Sequence, residues 1–512
     1  MSKEQASIER RGYQIKTVMA ILKAKRENKN IIVELDAGMG KRVISMLLAK
    51  HIDKNERILI ITPTQASVKD TKEAFNKFKK KLGIREDEIG ILHGGIPQKV
   101  RIFLLKKRIL ICTPISLLHV LEKNPKAIEN FNFIIINEVD KTIRRAAELP
   151  MYEESRPDNV NYEDFNITAE MYGDTRAVYP WNMLRRYFPK KACIIGMSGT
   201  LRDSHVIKRR NQITYSKELI TIAEAIFPKN KPLEIISMDF LLERTDAHRY
   251  IIRNLTRVKP VYVYDDLMKE ILDTLTNEIE VAFKKLAKKY EEMLKEQEID
   301  LIEAALPLIP SDDNLKRKIL RLALVRKFLT ASIPDHYSKF LRKPMIQSIL
   351  RKRLNKELSE IIPKFSTKIE KILEIVKEWI SLGKKIVILT SYIVTAKKIQ
   401  ERLKNNKLET VYLITGKTMG KNKIIHKFRE NSCPAILIMT PVGERDIDLP
   451  EADLVLVHDV VNTVKTMYQR FKRGRRSFVL ILVYKDTFEE IKVKKLLDRM
   501  QKLYPWSISI EI

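Results

Sequence analysis

The apolar run Ile31-Ile32-Val33 leads into Leu35-Asp36-Ala37-Gly38-Met39-Gly40-Lys41-Arg42 and then into the helical stretch VISMLLAK. Strand, glycine turn and helix in that order make a cradle for phosphate. Gly38 and Gly40 let the backbone curl so that N–H groups face an anion at the helix N-terminus, and Lys41 stands where an ammonium reaches the outer phosphates. The next position ordinarily carries Ser or Thr, whose hydroxyl ligates Mg²⁺. Here it is Arg42. Further along, Phe133-Ile134-Ile135-Ile136 runs into Asn137-Glu138-Val139-Asp140, where a nucleotide-driven motor places an Asp-Glu pair. The Asp of such a pair holds the metal and the Glu polarises the attacking water. Asn137 keeps the size of the aspartate and loses its charge, while Glu138 is retained; taken alone, Asn137 also suits a turn or cap at a strand end.

Both replacements fall on one physical function. A metal bridging the phosphates neutralises the charge that develops during transfer, so hydrolysis without its ligands is expected to be very slow. Two placements of Arg42 are open: a pair with Glu138 or Asp140 that fills the ion's place and holds the cleft closed, or a side chain turned out to solvent.

The elements that must position these residues follow from the alternation of apolar runs. IIVEL, ILIIT, ILICT, FIIIN and ACIIGM are each followed by amphipathic or polar sequence, the pattern of a parallel α/β domain. From about Tyr264 to Asn355 apolar residues recur at helical spacing, as in DLMKEILDTLTNEIEVAFKKLAKKYEEMLKEQ. The Pro-interrupted LPLIPSDD then favours a compact helical hairpin over a long coiled coil. Strand-helix alternation returns after Pro363 with KKIVILTS, VYLIT, AILIMT, DLVLVHD and SFVLILVY. The expected architecture is α/β: a first parallel-sheet domain over residues 1–230, a helical insert over 231–362 and a second parallel-sheet domain over 363–512.

Lys plus Arg number 96 against 65 Asp plus Glu, a net charge of +31, so attraction to polyanions, nucleic acid first, is expected. The three cysteines and eight histidines are scattered, which indicates neither a disulfide framework nor a zinc site; no metal is assigned. No apolar run approaches the ~18 residues of a spanning helix, and a cytoplasmic, nucleoid-associated location without membrane contact is expected.

The ordered motifs resemble the superfamily-2 helicases, and within them the archaeal Hef, FANCM and XPF group. Arg11-Gly12-Tyr13-Gln14 is similar to that group's early element, in which the Gln recognises adenine; Thr62-Pro63-Thr64 and Thr113-Pro114 look like its strand-end nucleic-acid contacts. Ser198-Gly199-Thr200 resembles the coupling motif, and Thr390-Ser391-Tyr392 the opening of the second motor domain. The stretch from Thr440, TPVGERDIDLPEADLVLVHD, and then Gln469-Arg470-Phe471-Lys472-Arg473-Gly474-Arg475-Arg476 resemble the last two motifs, the second of which supplies arginines to the γ-phosphate. Asp446, Lys472 and Arg475 stand where the family has glycine.

The resemblance implies two RecA-like motor domains with a thumb-like insert. It implies a nucleotide site of Tyr13, Gln14, Gly38, Gly40, Lys41, Arg42, Asn137 and Gln469, with Glu138, Arg473 and Arg476 in vestigial catalytic roles. Nucleic acid is expected at Thr62, Pro63, Thr113, Pro114, Thr390, Ser391 and Thr440, and at the basic insert residues Lys316, Arg317 and Lys318. ATP is the only cofactor in view, held without normal Mg²⁺-dependent hydrolysis.

The expected function is a helicase-like DNA-binding protein on forked, branched or duplex DNA, scaffolding a partner such as an XPF-type nuclease or another junction-processing enzyme of repair or recombination. The sequence carries no ERK-type carboxylate signature of its own, so the nuclease is expected on a separate chain. An active DNA helicase with unorthodox magnesium ligation and a double-stranded RNA-binding module are the alternatives.

Overall fold

The computed structural model describes the chain except residues 1–10, 146–174, 178, 203, 210–211, 252–254, 297–305, 307–308, 311, 357, 364, 409, 432–433, 441–451, 461–463, 473–477 and 512. Most of the β-branched and leucine runs become short strands buried on both faces, the burial that the interior of a parallel sheet requires. In chain order, the first sheet takes β1 (Asn30–Glu34), β2 (Ile58–Ile61), β3 (Ile89–Leu92), β4 (Ile109–Cys112) and β5 (Phe133–Asn137). The ribbon strands β6 (Ile143–Arg145) and β7 (Thr175–Ala177) follow, then β8 (Cys193–Ser198) in the sheet, a second ribbon of β9 (Ser204–Arg209) and β10 (Gln212–Lys217), and β11 (Leu233–Ile236). The seven sheet strands lie in the order β11-β1-β8-β5-β2-β4-β3, every pair parallel.

The second sheet takes β12 (Thr256–Val263), β13 (Ile386–Leu389), β14 (Val411–Ile414), β15 (Ile436–Met439), β16 (Leu454–Val457), β17 (Phe478–Tyr484) and β18 (Ile508–Ile510). Its order is β14-β15-β13-β16-β17-β12-β18, again all parallel. Two compact units result: the first holds its sheet and the described residues up to Asn254 except Arg145 and those within 205–215, and the second holds these together with the residues from Leu255 onward.

These boundaries correct the expected ones. The range 231–362 contains two sheet strands, β11 at the edge of the first sheet and β12 between β17 and β18 in the second. Among the described residues, the helical hairpin, Asp266–Lys289 followed by Asn314–Ala331, shares its core with the second sheet. Leu275, Ile279, Leu322 and Phe328 share one buried cluster with Ile386, Ile388, Leu454, Leu456, Leu480 and Leu482 on one face of the second sheet. The alternate residues Val387, Leu389, Val455, Val457 and Ile481 enter the core on the opposite face. Period-two alternation of strand side chains thus assigns one face to the hairpin together with the helices Thr367–Ser381 and Ile393–Asn405, and the other to the helices Lys421–Glu430, Val464–Phe471 and Phe488–Leu503. Helical periodicity located the hairpin, but it carries no information about which sheet covers its apolar stripe.

Lys368 fastens this layer. Its ammonium is 1% exposed and pairs at 2.7 Å with the Glu489 carboxylate, 3% exposed. It also donates to the Thr330 carbonyl near the hairpin's end at 3.0 Å and to the His458 carbonyl after β16 at 3.3 Å. Glu489 is further satisfied by the Tyr484 N–H at 2.8 Å, so each buried charge has several partners, the condition under which burial of an ion pair is tolerable.

Candidate functional site

In both units the polar residues expected at the site emerge at the C-terminal ends of parallel strands, the edge where α/β sheets bind ligands. β1 ends at Glu34, and the loop after it is pinned where the Leu35 N–H donates to the Ser198 carbonyl at 2.9 Å. Gly38 and Gly40 take φ of 81° and 82°, left-handed values that a Cβ disfavours. At Gly40 a Cβ would also lie 2.5 Å from Gln14 Nε2. Helix α2 (Lys41–His51) starts directly on this turn. Its first N–H groups and the Lys41 ammonium can hold an anion there. Lys41 Nζ rests 3.2 Å from the Leu35 carbonyl. Burial pulls its pKa below the usual lysine value, and Glu138, Asp36 and Asp140 pull it back only in part.

Arg42 is partly turned toward solvent. Its guanidinium forms an ion pair at 3.5 Å with Asp70 of helix α3 (Gln65–Leu82), both side chains 40% exposed. Glu138 is paired with Lys141, three residues on, so the expected Arg42–Glu138 pair is replaced by a local one. Glu138 sits at φ 54°, a left-handed conformation costing a non-glycine residue ~1 kcal/mol. Asn137 keeps its place at the end of β5, and its Oδ1 is buried with no hydrogen-bond partner among the described residues. Asp140 accepts the Ser198 hydroxyl at 2.5 Å, and Ser198 Oγ in turn accepts the Thr200 N–H at 3.2 Å. A Cβ on Gly199 would lie 2.7 Å from the Leu35 carbonyl. The loop after β8 therefore closes on the glycine loop through a contact only a glycine permits, and Asp140 ties the loop after β5 to it.

Tyr13 and Gln14 reach the same loop from helix α1 (Gly12–Arg26). The Tyr13 hydroxyl donates to the Met39 carbonyl at 2.6 Å and Gln14 Nε2 donates to it at 3.2 Å. Among the described residues, Gln14 Oε1 is buried without a partner.

The strand-end threonines are brought side by side. Ile61 of β2 is in register with Cys112 of β4, so Thr62 and Thr113 follow on adjacent strands; Leu389 of β13 and Met439 of β15 place Thr390 and Thr440 likewise. Thr62, Thr390 and Thr440 are buried, not presented on the surface, and no described residue bonds their hydroxyls. Thr113 Oγ1 donates to Ser116 Oγ at 3.0 Å. Pro63 is half-buried and Pro114 is buried in the first turn of its helix. Ser391 is held by Asp459, which accepts its N–H at 2.8 Å and also its hydroxyl. Burial works against that carboxylate, but His458, Arg470 and Ser391 outweigh it and hold its pKa well below the usual range. Gln469 lies half-buried on the helix Val464–Phe471; Arg473 and Arg476 lie outside the described residues.

The basic triplet of the insert needs correction. Lys316 is 3% exposed and donates to the Ile309 carbonyl at 2.7 Å. Lys318 pairs with Glu278 of the neighbouring hairpin helix at 2.7 Å, and Arg317 is half-buried. Consecutive residues on a helix point about 100° apart, and on a helix as extensively buried as Asn314–Ala331 this turns Lys316 into the packed side. Among the described residues, exposed cations of this layer include Lys284, Lys285, Lys288 and Arg321 on the hairpin, and Arg342, Lys343, Arg351, Lys352 and Arg353 beyond it.

Two partners of the site were not visible to motif reading. Glu34, 5% exposed, takes a bidentate pair from Arg202 at 2.6 and 2.7 Å and the Met238 N–H at 2.8 Å. Burial works to lower the Arg202 pKa, and the bonds to Glu34 and Asp239 overcome it and raise it. Asp246 accepts the Gly12 and Tyr13 N–H groups at 2.9 and 2.6 Å. The one available signal was Glu34 itself, a carboxylate closing the apolar run Ile31-Ile32-Val33, which demands a buried partner.

Two RecA-like parallel sheets bearing these strand-end motifs define a helicase-like protein of superfamily 2. Residues 11–156 match the DEAD/DEAH box helicase family and residues 367–477 the helicase conserved C-terminal domain. A Methanocaldococcus jannaschii protein with the provisional name ATP-dependent RNA helicase MJ1505 is 23% identical over 520 residues, covering 92% of this chain and 58% of its own length. The chain therefore spans little more than half of that relative. The crystal structure of the Pyrococcus furiosus Hef helicase domain superposes with a TM-score of 0.57 at 19% identity, covering 95% of this chain and 98% of that one. The DUF1998 helicase MrfA bound to DNA gives 0.52 at 13% identity, covering 96% of this chain and 49% of MrfA. No helix among the described residues is long and apolar enough to cross a membrane.

Proposed function

We propose that this chain is a helicase-like module that binds duplex or branched DNA and holds a nucleoside triphosphate in its first unit without the magnesium chemistry that hydrolyses it. In this role it organises a partner nuclease or other junction-processing enzyme. The observation that carries the proposal is the selective loss at the cleft. The phosphate cradle persists in Gly38, Gly40 and Lys41, and a buried acceptor on Gln14 awaits a donor. A nucleotide fits these groups. Mg²⁺ does not: the hydroxyl ligand is replaced by Arg42, directed to Asp70, and the carboxylate ligand by the amide of Asn137. Hard divalent cations take oxygen ligands, preferentially anionic ones.

Calorimetric titration of ATP with and without Mg²⁺, beside a nucleic-acid-stimulated hydrolysis assay, tests the proposal. Binding that is indifferent to Mg²⁺ with no turnover is expected. Turnover that Lys41→Ala abolishes would refute it and favour an active ATPase with altered ligation.

The provisional name of the Methanocaldococcus jannaschii relative favours RNA as a second reading of the partner. Competition among branched DNA, duplex DNA and duplex RNA across salt concentrations separates the two. Phosphate contacts alone give a steep salt dependence without preference, whereas A-form shape and 2′-hydroxyl contacts favour RNA.

A further inference from the structure

The segment that follows β11 carries the chain out of the first sheet. Its helices Met238–Arg244 and His248–Ile251 precede β12, the strand that enters the second sheet. This connector is bonded to the cleft of the first unit at four points. The Met238 N–H donates to Glu34 at 2.8 Å, Asp239 pairs with Arg202 at 2.7 Å, the Arg244 carbonyl accepts from Lys16 Nζ at 2.6 Å, and Asp246 takes the first two N–H groups of α1.

Asp246 does for α1 what a capping side chain does, from 233 residues away in sequence. The local cap position, Arg11, makes no side-chain cap bond, and the first N–H groups of a helix have no partner within it. A Cβ at Gly12 would lie 2.9 Å from Asp246 Oδ1, so the carboxylate sits hard against the backbone that carries Tyr13 and Gln14. Tyr250, one turn further along the connector, faces the Tyr13 ring at 5.7 Å and lies under the Arg11 guanidinium at 4.4 Å.

The consequence falls on Gln14. Its Nε2 donates to the Met39 carbonyl, and a carbonyl can only accept, which fixes the amide orientation and leaves Oε1 as a buried acceptor. An acceptor in that place suits a base presenting an amino group, as adenine does, and repels one presenting a carbonyl, as guanine does.

We infer that Asp246 is the positioning residue of this base-recognition element: from the connector it holds the first turn of α1 so that Tyr13 and Gln14 stay in register with the glycine loop. The inference rests on the nucleotide reading proposed above for its ligand, but not for its geometry. Asp246 bonds the Gly12 and Tyr13 N–H groups and not the glycine loop that would hold phosphate, so its loss is expected to act on the base.

The test uses the full chain in EDTA, with ATP, GTP and inorganic tripolyphosphate as calorimetric probes and hydrogen exchange as a second readout. With Asp246→Ala, ATP affinity is expected to fall at least ~10-fold, or ~1.4 kcal/mol, and the preference for ATP over GTP to collapse, while tripolyphosphate affinity stays within ~2-fold. Asp246→Asn, which keeps one accepting oxygen, is expected to fall between Ala and the native chain, and serves if the alanine variant does not fold. Native ATP affinity and selectivity in Asp246→Ala, or an equal loss of tripolyphosphate, would overturn the inference. If the native chain binds none of the three probes, the nucleotide reading fails by itself, and exchange decides. Faster exchange at Gly12 and Tyr13 together with residues 36–40 supports the positioning role; exchange unchanged, or raised at α1 alone, overturns it.

Discussion

Replacing Arg42 by Thr and Asn137 by Asp restores both oxygen ligands that a magnesium ion requires, and the structure sets what each change costs. The Arg42–Asp70 pair is 3.5 Å long with both side chains 40% exposed. At the dielectric of water such a pair is worth ~1 kcal/mol before side-chain entropy is subtracted, and exposed pairs measure ~0.2–1 kcal/mol. Arg42→Thr alone is therefore expected to lower the unfolding free energy of the ligand-free protein by less than ~1 kcal/mol, a shift of at most ~4 °C in Tm for a unit of this size. Asn137→Asp places a carboxylate where the amide oxygen is already buried without a partner, so the double variant becomes dependent on a cation. With ATP present and Mg²⁺ at ~100 times its dissociation constant, linkage predicts ~2.7 kcal/mol of stabilisation that the native chain does not show. Thermal unfolding with Mg²⁺ or EDTA, paired with calorimetric ATP titration, reads both effects. A loss of ~3 kcal/mol or more from Arg42→Thr alone would mean that Arg42 balances a buried carboxylate. A double variant that bound ATP no better with Mg²⁺ than with EDTA would show that the missing ligands are not what separates this cleft from a magnesium site.

Lys368→Met leaves the Glu489 carboxylate buried opposite a methyl group, and urea unfolding should register a loss of ~3–5 kcal/mol, with Lys368→Met/Glu489→Leu recovering a large part of it. Gly199→Ala forces a Cβ to within 2.7 Å of the Leu35 carbonyl; because the clashing atom is backbone, ~1–3 kcal/mol of stability should be lost, measured as a lower Tm. Glu490 is held at about 2: burial raises its carboxyl, and bonds from Lys494, Lys485 and the Asp486 N–H outweigh it. A carboxylate depressed in the folded state contributes stability above its unfolded pKa and loses it as the proton binds. Acid titration of the native chain should therefore show a decline between pH ~4.3 and ~2 that Glu490→Gln lacks.

Much of this protein was open to view from local sequence alone. The strands followed from short β-branched runs, because a run of four or five apolar residues must be buried on both faces wherever it ends up. The glycine loop was legible because Gly38 and Gly40 do what only glycine does at low cost, adopting φ near 80° just ahead of a helix. The ordered motifs from Arg11 onward placed two parallel sheets in one chain for a similar reason: most are a strand end and its turn, and Arg11-Gly12-Tyr13-Gln14 and Gln469-Arg470 mark a helix end, each set by neighbours a few residues away.

The partnerships of the charged residues were decided elsewhere. Arg42 found Asp70 on the next helix instead of Glu138; Lys316 turned inward while Arg351, Lys352 and Arg353 stayed exposed. A carboxylate's field selects among all cations within a few ångströms in space, and sequence spacing ranks only those on the same helix. The helical hairpin lost its separate identity because its apolar stripe was covered by a sheet strand more than a hundred residues distant. Local sequence thus determined the phosphate loop, the strands and the motif order. Only the fold decided that Glu34, Arg202 and Asp246, separated in sequence by as much as 212 positions, converge on that loop, because a buried charge or an open helix end takes whatever partner the packing of sheets and helices brings within hydrogen-bond distance.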